Sequence, residues 1–196
     1  NYDVHSGGCD LKFPHHDNEL AQAEAHYGNA QWVNYFLHTG HLHIEGLKMS
    51  KSLKNFITID EALAKYTPRQ LRLLFLLMHW DKTLNYSDAL MDMAKAREKT
   101  LKEFFMLVRN VERDQADWAA VAQRWSPRDE QLVDALRRAQ RANDAALRDN
   151  FDTPAVMRNL FELVSAANKY SAKNAARRVL VLRAVAAYVT RMLRVF

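Results

Sequence analysis

Three of the four prolines in this 196-residue chain sit directly behind a threonine or serine, as Thr67-Pro68, Ser126-Pro127 and Thr153-Pro154. A hydroxyl at the N-cap accepts a hydrogen bond from a free N–H of the first helical turn. Proline one position later loses nothing, because its missing donor would have had no partner there. Thr58 followed by Glu61 marks a fourth helix start as a capping box. With only five glycines in the same length, the chain is committed mainly to helices joined by short connections. Val156, Met157, Leu160, Phe161, Val164 and Ala167 recur at three- and four-residue spacing, and Leu182, Val185, Ala186, Val189 and Leu193 repeat the pattern. Each stripe needs neighbouring helices to cover it, so a bundle is expected over about Asp88 to Phe196.

The first fifty-five or so residues read differently. Tyr2 to His5 is strand-like before Gly7-Gly8, and Trp32 to Leu37 is aromatic-rich before Thr39-Gly40. Between them Asp17 to Tyr27 predicts a short helix that Gly28 ends. After Phe56 the strand signals fade, and Asp114 to Arg124 reads as a polar segment between helices. The fold class expected is mainly α with a small α/β part. Leu73 to Met78, the longest notable apolar run, reads as buried helix and falls far short of the roughly twenty residues that span a bilayer. One cysteine, Cys9, rules out an internal disulfide framework and suits a reducing compartment, so a cytoplasmic protein is expected. Charge is uneven: residues 1 to 60 carry a net −3 and residues 61 to 196 a net +8. The positive excess lies on the helices, where it can attract RNA phosphates or line solvated faces.

Three small constellations carry possible chemistry. Lys48-Met49-Ser50-Lys51-Ser52 sets two ammonium groups and two hydroxyls on one short loop, which suits a polyphosphate clamp and equally a solvated basic turn. Gly7-Gly8 followed by Asp10 is a turn whose bare backbone can approach a nucleoside while a carboxylate accepts from ribose hydroxyls. If a helix begins at His15, then His15 and Glu19 share a face, either as a hydrogen-bonded pair or as two ligands of one metal ion, with His16 pointing elsewhere.

Taken together, these stretches resemble the cysteinyl-tRNA synthetases. Lys48 to Ser52 matches the KMSKS motif of class I aminoacyl-tRNA synthetases letter for letter. Asp3-Val4-His5-Ser6-Gly7-Gly8-Cys9-Asp10, running on to Phe13-Pro14-His15-His16-Asp17-Asn18-Glu19, is similar to the Gly-rich turn and FPHHxNE pattern of the cysteine branch. Leu53-Lys54-Asn55-Phe56-Ile57-Thr58 resembles the eukaryotic cytosolic enzymes, and Arg69-Gln70-Leu71-Arg72, Leu84-Asn85-Tyr86-Ser87 and Asn150-Phe151-Asp152-Thr153-Pro154 extend the likeness.

The resemblance implies the C-terminal half of a Rossmann-type catalytic domain over residues 1–55, a stem-contact region over 56–87, and a DALR-like helical bundle that docks tRNA over 88–196. The HIGH motif is absent from this chain, so the resemblance implies an incomplete enzyme that is inactive alone. It also implies ATP-dependent activation of cysteine and transfer to tRNA(Cys), with ATP and Mg2+ used in the first step. Lys48 and Lys51 then stabilise phosphate charge, Gly7, Gly8, Asp10, Ser50, Lys51 and Ser52 bind ATP, and His5 lies near the substrate. His15 and Glu19 become ligands of Zn2+, completed by two cysteines from upstream; Cys9 stands where relatives carry Gly, Ser or Phe. A ligase joining cysteine to a small amine, and a non-catalytic helical RNA-binding piece, are the two other readings.

Overall fold

The computed structural model describes residues 2–44, 46–49, 55–114, 125–172 and 179–196. Two compact units result, one from residues 1–67 with 78–91 and one from 68–77 with 92–196. The first is the α/β part. Strand β1 (Tyr2–Gly8) runs through two tight turns, Cys9–Leu11 and Lys12–His16, into helix α1 (Asp17–Tyr27), and the chain returns as strand β2 (Val33–Thr39). Strands β1 and β2 pair in parallel, from Tyr2 opposite Val33 to Gly8 opposite Thr39. Parallel neighbours need such a crossover, because a tight hairpin can only reverse the chain. Gly28 closes α1 in the left-handed region (φ 62°), with its N–H donating to the Glu24 carbonyl, as a glycine at this position allows.

A second small sheet follows, made of β3 (Leu42–Ile44), β4 (Leu47–Lys48) and β5 (Leu84–Tyr86). Strand β3 lies between the others, antiparallel to β4 and parallel to β5. Strand β5 is a departure from the expectation that extended structure ends near Phe56. Three residues carry no periodicity, and their partners lie 42 residues earlier. The approach is fixed at Gly40, whose N–H donates to the Trp80 carbonyl at 3.0 Å. A Cβ there would lie 2.1 Å from the Lys82 carbonyl oxygen. Helix α2 (Ile59–Lys65) opens with the expected capping box between Thr58 and Glu61.

The second unit is helical. It contains α3 (Pro68–Leu76), most of α4 (Asp88–Asp114), α5 (Pro127–Arg148), α6 (Thr153–Ala172) and α7 (Val179–Val195). The stripe anticipated on α6 is buried: Val156, Met157, Leu160, Val164 and Ala167 are fully covered, as are Leu182, Val185 and Val189 of α7. Asn143 and Asp129 enter this core with partners, because an unpaired buried amide costs about 1–3 kcal/mol. Asn143 donates to the Tyr188 hydroxyl at 2.8 Å and accepts from Asn159 at 2.9 Å. Asp129 closes the capping box of α5 with Ser126 and also receives the Tyr170 hydroxyl.

The start of α6 corrects one expectation. Asp152, not Thr153, supplies the capping oxygen, accepting from Ala155 N at 2.9 Å, and Thr153 is already the first helical residue. Ahead of it, Asn150 and Phe151 both take positive φ (52° and 53°), which turns the chain from α5 into α6. Asp114 lies at the end of α4, and the rest of the polar segment to Arg124 lies outside the described residues.

Two outcomes follow from this packing. Gly40→Ala is expected to destabilise the protein by about 1–3 kcal/mol, because the new methyl meets backbone that cannot rotate away; thermal melting followed by far-ultraviolet circular dichroism measures it. Glu98 is 7% exposed, and the hydrogen bond from Lys102, with a second from Gln70, holds its carboxyl below the ordinary range. A depressed folded value stabilises above the unfolded value and is lost as pH falls through the folded one. Glu98→Gln should therefore cost about 1–2 kcal/mol at pH 7, and urea midpoints should show that gap narrowing as pH is lowered toward 3.

Candidate functional site

The C-terminal ends of parallel strands are where an open α/β sheet presents its ligand-binding crevice, because loops leave the sheet there with free backbone donors and acceptors. In this chain that end carries Gly7-Gly8 on β1 and Thr39 on β2, with Asp10 one turn beyond β1. Thr39 donates its hydroxyl to the Gly7 carbonyl at 3.3 Å, tying the two strand ends together. Gly7 is required sterically, since a Cβ would come within 2.8–3.0 Å of the His16 ring and 3.0 Å of Leu11.

Asp10 is the hub of the exposed edge. Its carboxylate meets Lys48 Nζ at 3.5 Å and His41 Nε2 at 3.2 Å. A hydrogen bond from its own backbone N–H holds the carboxyl below the ordinary range, and Lys48 and His41 add to that pull. An ionised carboxylate beside an ammonium and an imidazole can accept hydroxyl donors while leaving cationic groups to face phosphate. Lys48 reaches this position from β4, whose pairing with β3 sets its direction. Ser50, Lys51 and Ser52 lie outside the described residues.

The histidines form a second group next to the first. His5, half-buried on β1, contacts Glu19 of α1 at 2.7 Å, and its ring lies 4.3 Å from that of buried His16. His16 Nδ1 in turn meets His38 Nε2 of β2 at 3.0 Å. Burial, followed by the electrostatic influence of His16, Lys12 and His5, pushes the His38 imidazole below its ordinary value. Donor atoms of His5, His16 and Glu19 all lie within 4.8 Å of one another, a nitrogen-rich set with one carboxylate that fits a borderline ion such as Zn2+. His15 is exposed and is not a member of this group. The turn over Lys12–His16 runs into α1 with helical backbone at His16 and Asp17, and His16 is its buried residue.

Sequence reasoning did not single out His41 or His38. His41 also sits 3.3 Å from the Cys9 sulfur through Nδ1. Nothing in its immediate sequence marks it, because its partners Cys9 and Asp10 lie some thirty residues away on the neighbouring strand end.

Residues 1–96 match the family described as tRNA synthetases class I (C) catalytic domain. The chain is 48% identical over 198 residues to the cytoplasmic cysteine–tRNA ligase of Gallus gallus, covering 99% of this chain and 26% of the relative. It is 48% identical over 200 residues to that of Dictyostelium discoideum, covering 100% of this chain and 30% of the relative. Over its whole length the chain is thus similar to cytoplasmic cysteine–tRNA ligases. It spans between a quarter and a third of the length of these relatives. The fold is that of class I synthetases: a LeuRS from Agrobacterium radiobacter K84, solved with tRNA and LeuAMS, aligns over 97% of this chain and 25% of its own with a TM-score of 0.72 at 16% identity. A methionyl-tRNA synthetase from Mycobacterium tuberculosis, solved with methionyl-adenylate, aligns over 96% and 39% with a TM-score of 0.66 at 20% identity.

Proposed function

We propose that this chain is the KMSKS-bearing part of a cytoplasmic cysteine–tRNA ligase, which activates cysteine with ATP and Mg2+ and passes the cysteinyl group to tRNA(Cys). The observation that carries this reading is the meeting of Asp10 with Lys48 at 3.5 Å beside the bare Gly7-Gly8 backbone. A ribose-accepting carboxylate and a phosphate-facing ammonium at one strand end are what an adenosine triphosphate needs in order to lie across that edge. The carboxylate of cysteine then attacks the α-phosphorus, the bond to the β-phosphate oxygen breaks, and pyrophosphate leaves. Chemistry of this kind depends on position and on charge placed where negative charge grows. Lys48 and Lys51, with Ser50 and Ser52, meet that charge; Gly7, Gly8 and Asp10 hold the nucleoside; His5 supports the cysteine. On this reading residues 1–55 are catalytic, 56–87 form the stem-contact region, and the helices of 88–196 dock the tRNA. The names of the relatives support both the amino acid and the compartment.

Zinc is part of the proposal. The donor chemistry of His5, His16 and Glu19 fits it, and Glu19 is common to this group and to the pair implied by the motif. When bound, the ion would accept the thiolate of cysteine in preference to the hydroxyl of serine, because a soft ligand outcompetes a hard one there. Glu19→Ala is expected to reduce the zinc content of the purified chain from about one equivalent toward none. Plasma emission spectrometry reads this, and His15→Ala and His16→Ala prepared alongside identify the imidazole donor.

For the activity itself, Lys51→Ala should slow ATP–pyrophosphate exchange by about 10²–10³ in the natural protein that carries this segment. Exchange at the unsubstituted rate would overturn the clamp. Charging of tRNA(Cys), assayed against formation of an amide with a small amine, identifies the acceptor.

A further inference from the structure

Outside the α/β part, the helical unit holds a cavity that the proposed chemistry does not use. It has a volume of about 650 Å3, is framed by α3, α4 and α7, and falls within the size range of about 300–1,000 Å3 typical of small-ligand sites. Its walls are apolar: Leu73 and Leu101 are buried, and Phe105 is half-buried and presents its ring. Arg69, Arg72 and Arg109, all exposed, line it together with Lys102. Arg72 donates one hydrogen bond to the Phe196 carbonyl at 2.6 Å. The acidic lining residue is Glu98, which already receives Lys102 at 2.9 Å and Gln70 at 3.0 Å.

We propose that this cavity seats one unstacked nucleotide of the RNA that the helical unit binds, its base against Leu101 and Phe105 and its phosphate on the arginines. The inference rests on the RNA partner assigned above and adds the place and mode of contact. Three features select a nucleotide. Guanidinium groups are planar forks that match phosphate oxygens and lie flat on bases, which a cluster of lysines would not do as well. An aromatic and aliphatic floor below a cationic rim is how single-stranded bases are held, by stacking with no need for base pairing. The Glu98 carboxylate keeps acceptor capacity beyond its two donors, and it can receive the exocyclic amine of cytosine, adenine or guanine. A long-chain carboxylate would find the same arginines, but it would meet Glu98 as a like charge and offer it no N–H.

The test uses the 196-residue chain with fluorescein-labelled oligocytidylate, oligouridylate and tRNA, read by anisotropy. Met106, 60% exposed on the cavity wall, is changed to Glu; Gln140, exposed on α5 away from the cavity, is changed to Glu as the charge-matched control. Met106→Glu is expected to weaken oligocytidylate binding at least tenfold more than Gln140→Glu does, and oligocytidylate to bind more tightly than oligouridylate. Equal losses in the two variants would overturn the seat while leaving RNA binding intact. Failure of every RNA to bind, even at low salt, would bring down the partner reading and the seat with it. A second measurement needs no substitution: oligocytidylate carrying one 5-iodocytidine, irradiated on the unaltered chain, should crosslink to Phe105 or Met106. Crosslinks confined to other helices, or sodium oleate bound at the cavity without competition from RNA, would refute the proposal.

Discussion

The parallel pairing of Tyr2–Gly8 with Val33–Thr39 is the constraint on which the candidate site depends. It places residues thirty positions apart at one strand end, so that Gly8, Asp10, Thr39 and His41 border the same edge. The pairing needs β1 and β2 to approach with the His16 ring against β1, and only a residue without a Cβ leaves that ring its place at position 7. Gly40 plays a similar part for the second sheet: its bare Cα lets the chain pass the Lys82 carbonyl and brings β5 beside β3. Strand β3 then carries β4, and β4 carries Lys48 to Asp10. Lys48 is thus positioned at this edge by a series of close backbone approaches.

Much of the helical part was legible because its signals are local. Gly28 ends α1 where a left-handed residue is needed, and the hydroxyls of Thr58 and Ser126 accept the N–H groups their capping boxes predict. Apolar periodicity on α6 and α7 translated directly into burial, since a stripe of that width can only be covered by other helices. The cap of α6 was displaced by one residue for an equally local reason. Asp152 and Thr153 both carry capping oxygens, and the left-handed pair Asn150-Phe151 sets the turn so that the aspartate comes into reach first.

What the sequence left hidden depends on contacts between distant residues. Strand β5 is three residues of ordinary composition whose extended form is imposed by pairing with β3. His15 and Glu19 do share helical backbone, since the non-helical residue of the preceding turn is Phe13, yet the histidine buried there is His16, which meets His5 and His38. Helical spacing says which residues share a face and leaves open which face the neighbouring strands cover. His41 eluded the reading because an isolated histidine gains meaning only from Asp10, which the fold supplies.

Electrostatically the two units divide the work that the proposed activity requires. In the α/β part charge is held locally: Asp10 is kept ionised by its own backbone N–H, Lys48 and His41, so the edge offers an acceptor beside a cation instead of a broad positive field. Such an arrangement orients a nucleotide without attracting every polyanion. In the helical part many arginines stand on exposed faces, as Arg138 and Arg141 do on α5, where attraction is long-ranged and screened by salt. Attraction of that kind draws an RNA in but does not fix its register. Register requires a contact that only one geometry satisfies, and an apolar floor beneath an arginine rim is of that type, because a base must leave its stack to fill it.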